Sequence, residues 1–178
     1  MAIVEIGDLT RRPYKAPLPE SDPTISEYIQ KAESEALDMV LGVTLHEELK
    51  TALQGTPAQK WIDLVDGKLY TYQGVEYRYK GLRDLLVPYV YALWLRDTFD
   101  THAREGVFVN NNATIQGNPA TTSISPSTRI SRAYNTFSEK VGGPHCMGGT
   151  LYGFLHVHKS DYPSWVFSPP GTMNIWNI

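Results

Sequence analysis

The sequence has few of the residues that most active sites and binding surfaces need, and each shortage closes a class. Its single cysteine, Cys146, excludes an internal disulfide and fits a reducing compartment. No run approaches the roughly 18 consecutive apolar residues that cross a bilayer, and MAIVEIGDLTRR has too short an apolar run for a secretory signal. A chain made in the cytoplasm, with no membrane partner, is expected. Basic residues are not in excess: 16 Lys and Arg stand against 19 Asp and Glu, a net charge of −3, so the molecule has no long-range pull on phosphate backbones. The charge is uneven. Residues 1–100 carry 11 basic and 16 acidic side chains, whereas 101–178 carry 5 and 3. A sparsely charged rear predicts packing against something else.

Signatures of catalysis and cofactor binding are scarce too. GGPHCMGG, residues 142–149, lacks the spacing and the Lys-Ser/Thr of a phosphate loop and reads as a glycine turn. His145, Cys146, His156 and His158 are of types that ligate zinc, but their spacing matches no zinc pattern. Cys146 and His145 are adjacent and do not meet in attack geometry. Glu33-Glu35, Glu47-Glu48 and Asp97-Asp100 read as solvated helical faces. No catalytic residue, metal or cofactor is expected.

What is present is helical periodicity. With 178 residues, 42% of them hydrophobic, the chain fits one domain with extended arms. IVEIGDL predicts a short strand or contact segment, and RRPYKAPLPESDP has too many prolines for regular structure. A helix starts at DPTISE, capped by Asp22 before Pro23 or by a Thr24/Glu27 capping box, with Ile25, Tyr28, Ile29, Ala32, Ala36, Leu37 and Val40 on one face. Gly42 ends it. Thr44 and Glu47 predict a second capping box, with Leu45, Leu49 and Leu53 inward, and Thr56-Pro57-Ala58-Gln59 opens a third helix that Asp66-Gly67 stops.

KLYTYQGVEYRYKG then alternates Tyr70, Tyr72, Tyr77 and Tyr79 with other residues around Gln73-Gly74, the pattern of a hairpin. A lone hairpin is marginal in water, so its tyrosine face predicts packing on the helices or on a neighbouring subunit. With Lys68, Arg78, Lys80 and Arg83 nearby, the same face is also compatible with stacking nucleic-acid bases, against which Asp63, Asp66, Glu76 and Asp84 stand. Residues 81–100 read as the main buried helix, with a kink at Pro88. Residues 101–128, containing Val107 and Phe108, read as a long polar loop; 129–141 and 151–158 read as helices. The segment 164–178, with Trp165, Phe167, Ile175 and Trp176, has no period and reads as a docking arm. The fold class is mainly α: a single domain over 1–178, a small helical bundle with a β-hairpin insertion, an N-terminal arm over 1–22 and a C-terminal arm over 164–178.

The order of these pieces, above all WIDLVDGKLYTYQGVEYRYKGLRDLLVPYVYALWLRD (Trp61 to Asp97) and LYGFLHVHKSDYPSWVF (Leu151 to Phe167), resembles the head-tail connector or neck ring proteins of tailed phages infecting gut Bacteroidota, the crAss-like group included. The GGPHCMGG segment departs from that pattern. The resemblance implies a virion structural protein, usually a twelve-membered homo-oligomeric ring beneath the portal protein. Such a ring contacts other neck or tail proteins and continues a channel through which genomic DNA passes without sequence recognition. It implies no catalytic residue, and it makes the hairpin, the polar loop and both arms candidates for intersubunit contact: Tyr70, Tyr72, Tyr77, Tyr79, Val107, Phe108, Trp165, Phe167, Ile175 and Trp176.

Overall fold

A computed structural model describes residues 3–10, 23–104 and 126–167. The described residues are mainly α: α1 (Ile6–Thr10), α2 (Pro23–Leu41), α3 (Val43–Leu53), α4 (Gln59–Asp66), a two-stranded antiparallel sheet of β1 (Lys68–Tyr72) and β2 (Val75–Tyr79), then α5 (Gly81–Arg104), α6 (Pro126–Val141) and α7 (Leu151–Val157).

The core is organised around α5. Leu82, Leu85, Leu86, Val87, Tyr89, Val90, Tyr91, Ala92 and Leu93 are all buried, so the helix is apolar on every side over these residues rather than on a stripe. Only a central position satisfies such a surface: α5 packs most extensively on α6 and also on α2 and α4. Tyr89 meets Phe137 of α6 at 4.8 Å between ring centroids.

Pro88 lies inside one continuous α5. A proline at this position has no amide to donate, which leaves the carbonyl of Asp84, four residues earlier, without its helical partner. The bundle supplies another. Lys140 of α6 donates to the Asp84 carbonyl at 2.8 Å and pairs with the Asp84 carboxylate, also at 2.8 Å. Lys140→Ala is therefore expected to cost about 1–3 kcal/mol. Part of that loss should vanish in a Pro88→Ala background, where a helical amide can replace the lysine. A double-mutant cycle by urea denaturation checks this; strictly additive effects would mean that the carbonyl bond is unimportant.

Several local expectations are corrected. Of the two alternatives for IVEIGDL, a short strand or a contact segment, the strand is not formed: Ile6–Thr10 is helical, and Ile3, Val4 and Leu9 are buried against the rest of the chain. The Thr44/Glu47 capping box does not form, because Gly42, at φ 78°, is the N-cap of α3 and places Thr44 inside the first turn. The segment 101–128 is shorter than read: α5 runs to Arg104 and α6 starts at Pro126, with 105–125 outside the described residues.

Glu33 is the clearest departure, since it is buried rather than solvated. Its carboxylate accepts hydrogen bonds from the amides of Ile3 (2.9 Å) and Val4 (2.9 Å), tying the N-terminal segment to α2. Burial raises its pKa, and these amide bonds oppose the shift without cancelling it. A carboxyl group whose folded pKa is raised binds its proton more tightly when folded. Its contribution to stability is thus complete below the ordinary carboxylate range and is lost as pH rises through the raised value. Wild-type stability should fall relative to Glu33→Gln as pH rises above the ordinary carboxylate range. A difference that stays flat as pH rises would refute the assignment.

Candidate interaction surface

The hairpin is closed by Gln73 and Gly74, at φ 50° and 78°, the two positive values that a two-residue type I′ turn requires. Its register pairs Lys68 with Tyr79, Tyr70 with Tyr77 and Tyr72 with Val75. Strand alternation therefore places all four tyrosines on one face, and Leu69, Thr71, Glu76 and Arg78 on the other.

The tyrosine face is turned inward. Tyr79 stacks on Phe154 of α7 at 4.7 Å, and Tyr70 approaches Phe154 edge-on at 6.1 Å. The Tyr70 hydroxyl donates to the Met147 carbonyl and accepts from the Gly149 amide at 2.9 Å, fastening the strand to the glycine loop. Tyr77 covers Gly148 so closely that a Cβ there would lie 2.8 Å from the ring. Tyr72 reaches His156, which stacks in turn on Tyr152 at 5.7 Å. The Tyr79 hydroxyl is buried with no hydrogen-bond partner among the described residues, and burial holds its pKa well above the usual phenol range. Burial also raises the Tyr70 pKa, against the opposing Gly149 amide bond.

Thr150 organises the other side of the loop: its hydroxyl donates to the Cys146 carbonyl at 2.8 Å and accepts from the Gly153 amide at 3.1 Å, capping α7. Gly142–Gly149 is thus a bonded turn, bridged between Gly143 and Cys146, as its glycines suggest. Cys146 and His145 are exposed on it, and no group of three or more His, Cys, Asp or Glu side chains suited to a metal occurs among the described residues.

The start of the presumed C-terminal arm is also docked. Trp165 is 6% exposed, and its indole donates to the Val40 carbonyl at 3.3 Å; Phe167 packs edge-on against Tyr152 at 4.5 Å. Tyr70, Tyr79 and Trp165 are therefore core residues of this chain, with almost no surface left for a partner. Tyr72, Tyr77 and Phe167 are half-buried around them. Val107, Phe108, Ile175 and Trp176 lie outside the described residues. What the fold does expose is aliphatic: Val43 (65%), Leu69 (47%), Val75 (51%) and Val166 (74%).

One polar pair escaped the sequence reading. His46 is buried, and its Nδ1 lies 2.7 Å from an Asp38 carboxylate oxygen. Each residue stands four positions from Gly42, so the α2–α3 turn folds them together; that symmetry was the available signal. His46 borders a cavity of about 250 Å³ that Glu33, Ser34 and Lys50 also line. A carboxylate-held imidazole is suited to general-base work. Among the described residues, however, no hydroxyl or thiol hydrogen-bonds to His46, and the pair serves as a strut between α2 and α3. No helix of the described residues is long and apolar enough to cross a membrane.

No protein-family model, curated protein or solved structure matches this chain.

Proposed function

We propose that this chain is a structural subunit of the neck of a tailed-phage virion, forming a ring that joins portal to tail and continues the DNA channel. The observation that carries the reading is the convergence of the two segments bearing the resemblance. Trp61–Asp97 and Leu151–Phe167 are far apart in sequence, yet they form one packed unit: Trp61 lies edge-on to Tyr162 at 5.8 Å, and Tyr70 and Tyr79 lie against Phe154. That unit spends its aromatic and hydroxyl groups on holding its own shape, as a part whose role is geometric requires.

A second reading, a nucleic-acid-binding accessory protein that stacks bases on Tyr70, Tyr72, Tyr77 and Tyr79, keeps only the half-buried Tyr72 and Tyr77. Tyr70 and Tyr79 are 4% and 3% exposed, and a base cannot lie on a ring already covered by Phe154 and the glycine loop. In the neck reading DNA passes a mildly acidic protein without being gripped, in keeping with the net charge of −3.

The test is mass spectrometry and electron microscopy of purified virions of a phage encoding this chain. The expected result is a ring of this protein between capsid and tail. Particles that are complete and infectious without it would end the proposal.

A further inference from the structure

Helices α2 and α3 turn matching faces toward each other. Glu33 and Leu37 on α2, and His46, Leu49 and Leu53 on α3, recur at helical spacing, and with Ile3 they line the cavity of about 250 Å³. An apolar cavity of roughly 150 Å³ accepts a benzene ring, so this one has room for a ring with a substituent. Ile3, Leu37 and Leu49 are buried and make its walls apolar, while Lys50, 58% exposed, stands on its solvent side.

The buried polar groups on this cavity are acceptors. His46 is 7% exposed; its Nδ1 is held by Asp38 at 2.7 Å, whereas its Nε2 makes no hydrogen bond among the described residues. A carboxylate can only accept, so Nδ1 carries the proton and Nε2 of the neutral ring is left with a lone pair to offer. A buried acceptor without a donor costs free energy. Glu33, the other buried polar side chain on the cavity, also accepts, and its carboxylate already takes the amides of Ile3 and Val4. The remaining polar side chains of the lining, Gln30, Ser34, Lys50 and Gln54, are all exposed. An occupant must therefore bring an apolar body and a donor at its inner end.

We propose that this cavity binds a small uncharged hydroxyl compound of phenol size, its ring against Leu37, Leu49 and Leu53 and its hydroxyl donating to Nε2 of His46. Charge decides against the other candidates. A carboxylate or phosphate would find no buried side-chain donor and would be repelled by Glu33. An ammonium would meet a carboxylate already holding two amides, with Lys50 on the solvent side, which is too little to offset the loss of its hydration. The proposal goes beyond the neck-ring reading and does not depend on it.

Titration of the full-length chain with phenol tests this, followed by calorimetry and by the imidazole nitrogen resonances of histidine-labelled protein. Phenol should bind about tenfold more tightly than anisole, which has the same ring and no proton to donate. It should also shift the His46 Nε2 resonance, identified by its loss in His46→Asn. Benzoate and benzylammonium should bind about tenfold or more weakly than phenol. His46→Asn puts an amide where Nδ1 stood, so the bond to Asp38 can persist while Nε2 is gone; phenol should lose its advantage over anisole. Leu53→Trp, at a half-buried position two turns from His46, should fill the cavity and abolish binding of both, with a circular dichroism melt like wild type. Equal affinity for phenol and anisole, tighter binding of either ion, or a His46 resonance unmoved at saturation would each overturn the proposal. So would a phenol preference that survives His46→Asn; if that variant does not fold, phenol binding unchanged in Leu53→Trp overturns it equally.

Discussion

Replacing Gly153 by alanine is expected to lower the melting temperature by about 6–12 °C, corresponding to roughly 3 kcal/mol for a chain of this size. Helix propensity alone predicts the opposite sign, since alanine inside a helix is better than glycine by about 1 kcal/mol. The surroundings decide the outcome. Gly153 is buried in α7, and a Cβ there would overlap the Met147 carbonyl oxygen and the Tyr70 hydroxyl, with the Met147 carbonyl carbon 2.8 Å away. These atoms belong to the bond that fastens the hairpin to the glycine loop, so neither can withdraw without breaking it. Overpacking against backbone costs more than the propensity gain returns. Tyr70→Phe makes a useful second measurement: if the clash with its hydroxyl contributes, Gly153→Ala should cost less in that background. A melting temperature for Gly153→Ala equal to or above wild type would show that the loop yields freely and that the fastening is weak.

Gly67→Ala and Gly81→Ala should each cost on the order of 3 kcal/mol or more, for two reasons that act together. Both glycines have positive φ, 91° and 89°, where an L side chain is strained. They also face each other where the exit of α4 crosses the entry to α5. A Cβ on Gly67 would lie 2.6 Å from the Lys80 carbonyl carbon and 2.7 Å from the Gly81 nitrogen; one on Gly81 would lie 2.7 Å from the Asp66 carbonyl carbon and 2.9 Å from the Gly67 nitrogen. Backbone meets backbone, so no side-chain rotamer relieves the contact. Controls separate the two causes. Gly74→Ala has positive φ but open space and should cost only about 1 kcal/mol, while Gly55→Ala meets nothing within 4 Å and should fall within about 0.5 kcal/mol of wild type. Chemical denaturation of the four variants checks the order; a Gly81→Ala chain no weaker than Gly74→Ala would remove the crossing as a structural constraint.

Both predictions concern why the hairpin is held where it is, and that bears on the neck-ring proposal. With the tyrosine face turned to α7 and the glycine loop, the large hydrophobic side chains most exposed among the described residues are Val43, Leu69, Val75 and Val166.

The sequence by itself determined the elements whose signals are local. Period 3.6 marked α2, α3 and α5; alternation around Gln73-Gly74 marked the hairpin and its register; Gly42 and Gly67 marked helix ends, and Pro23 a helix start. These follow from backbone preferences that act within a few residues. Glu33 was half legible: it stands four residues from both Ile29 and Leu37, on the apolar stripe, but nothing local says that the amides of Ile3 and Val4 would satisfy it. The tertiary structure alone decided which face of the hairpin is covered, that Lys140 relieves the carbonyl freed by Pro88, that Asp38 meets His46, and that Trp165 closes on the end of α2. Each of these joins residues on different elements. Burial and partner choice depend on what the rest of the chain brings alongside, so an aromatic that reads as a contact for another molecule turns out, in Tyr70, Tyr79 and Trp165, to be a contact with the chain itself.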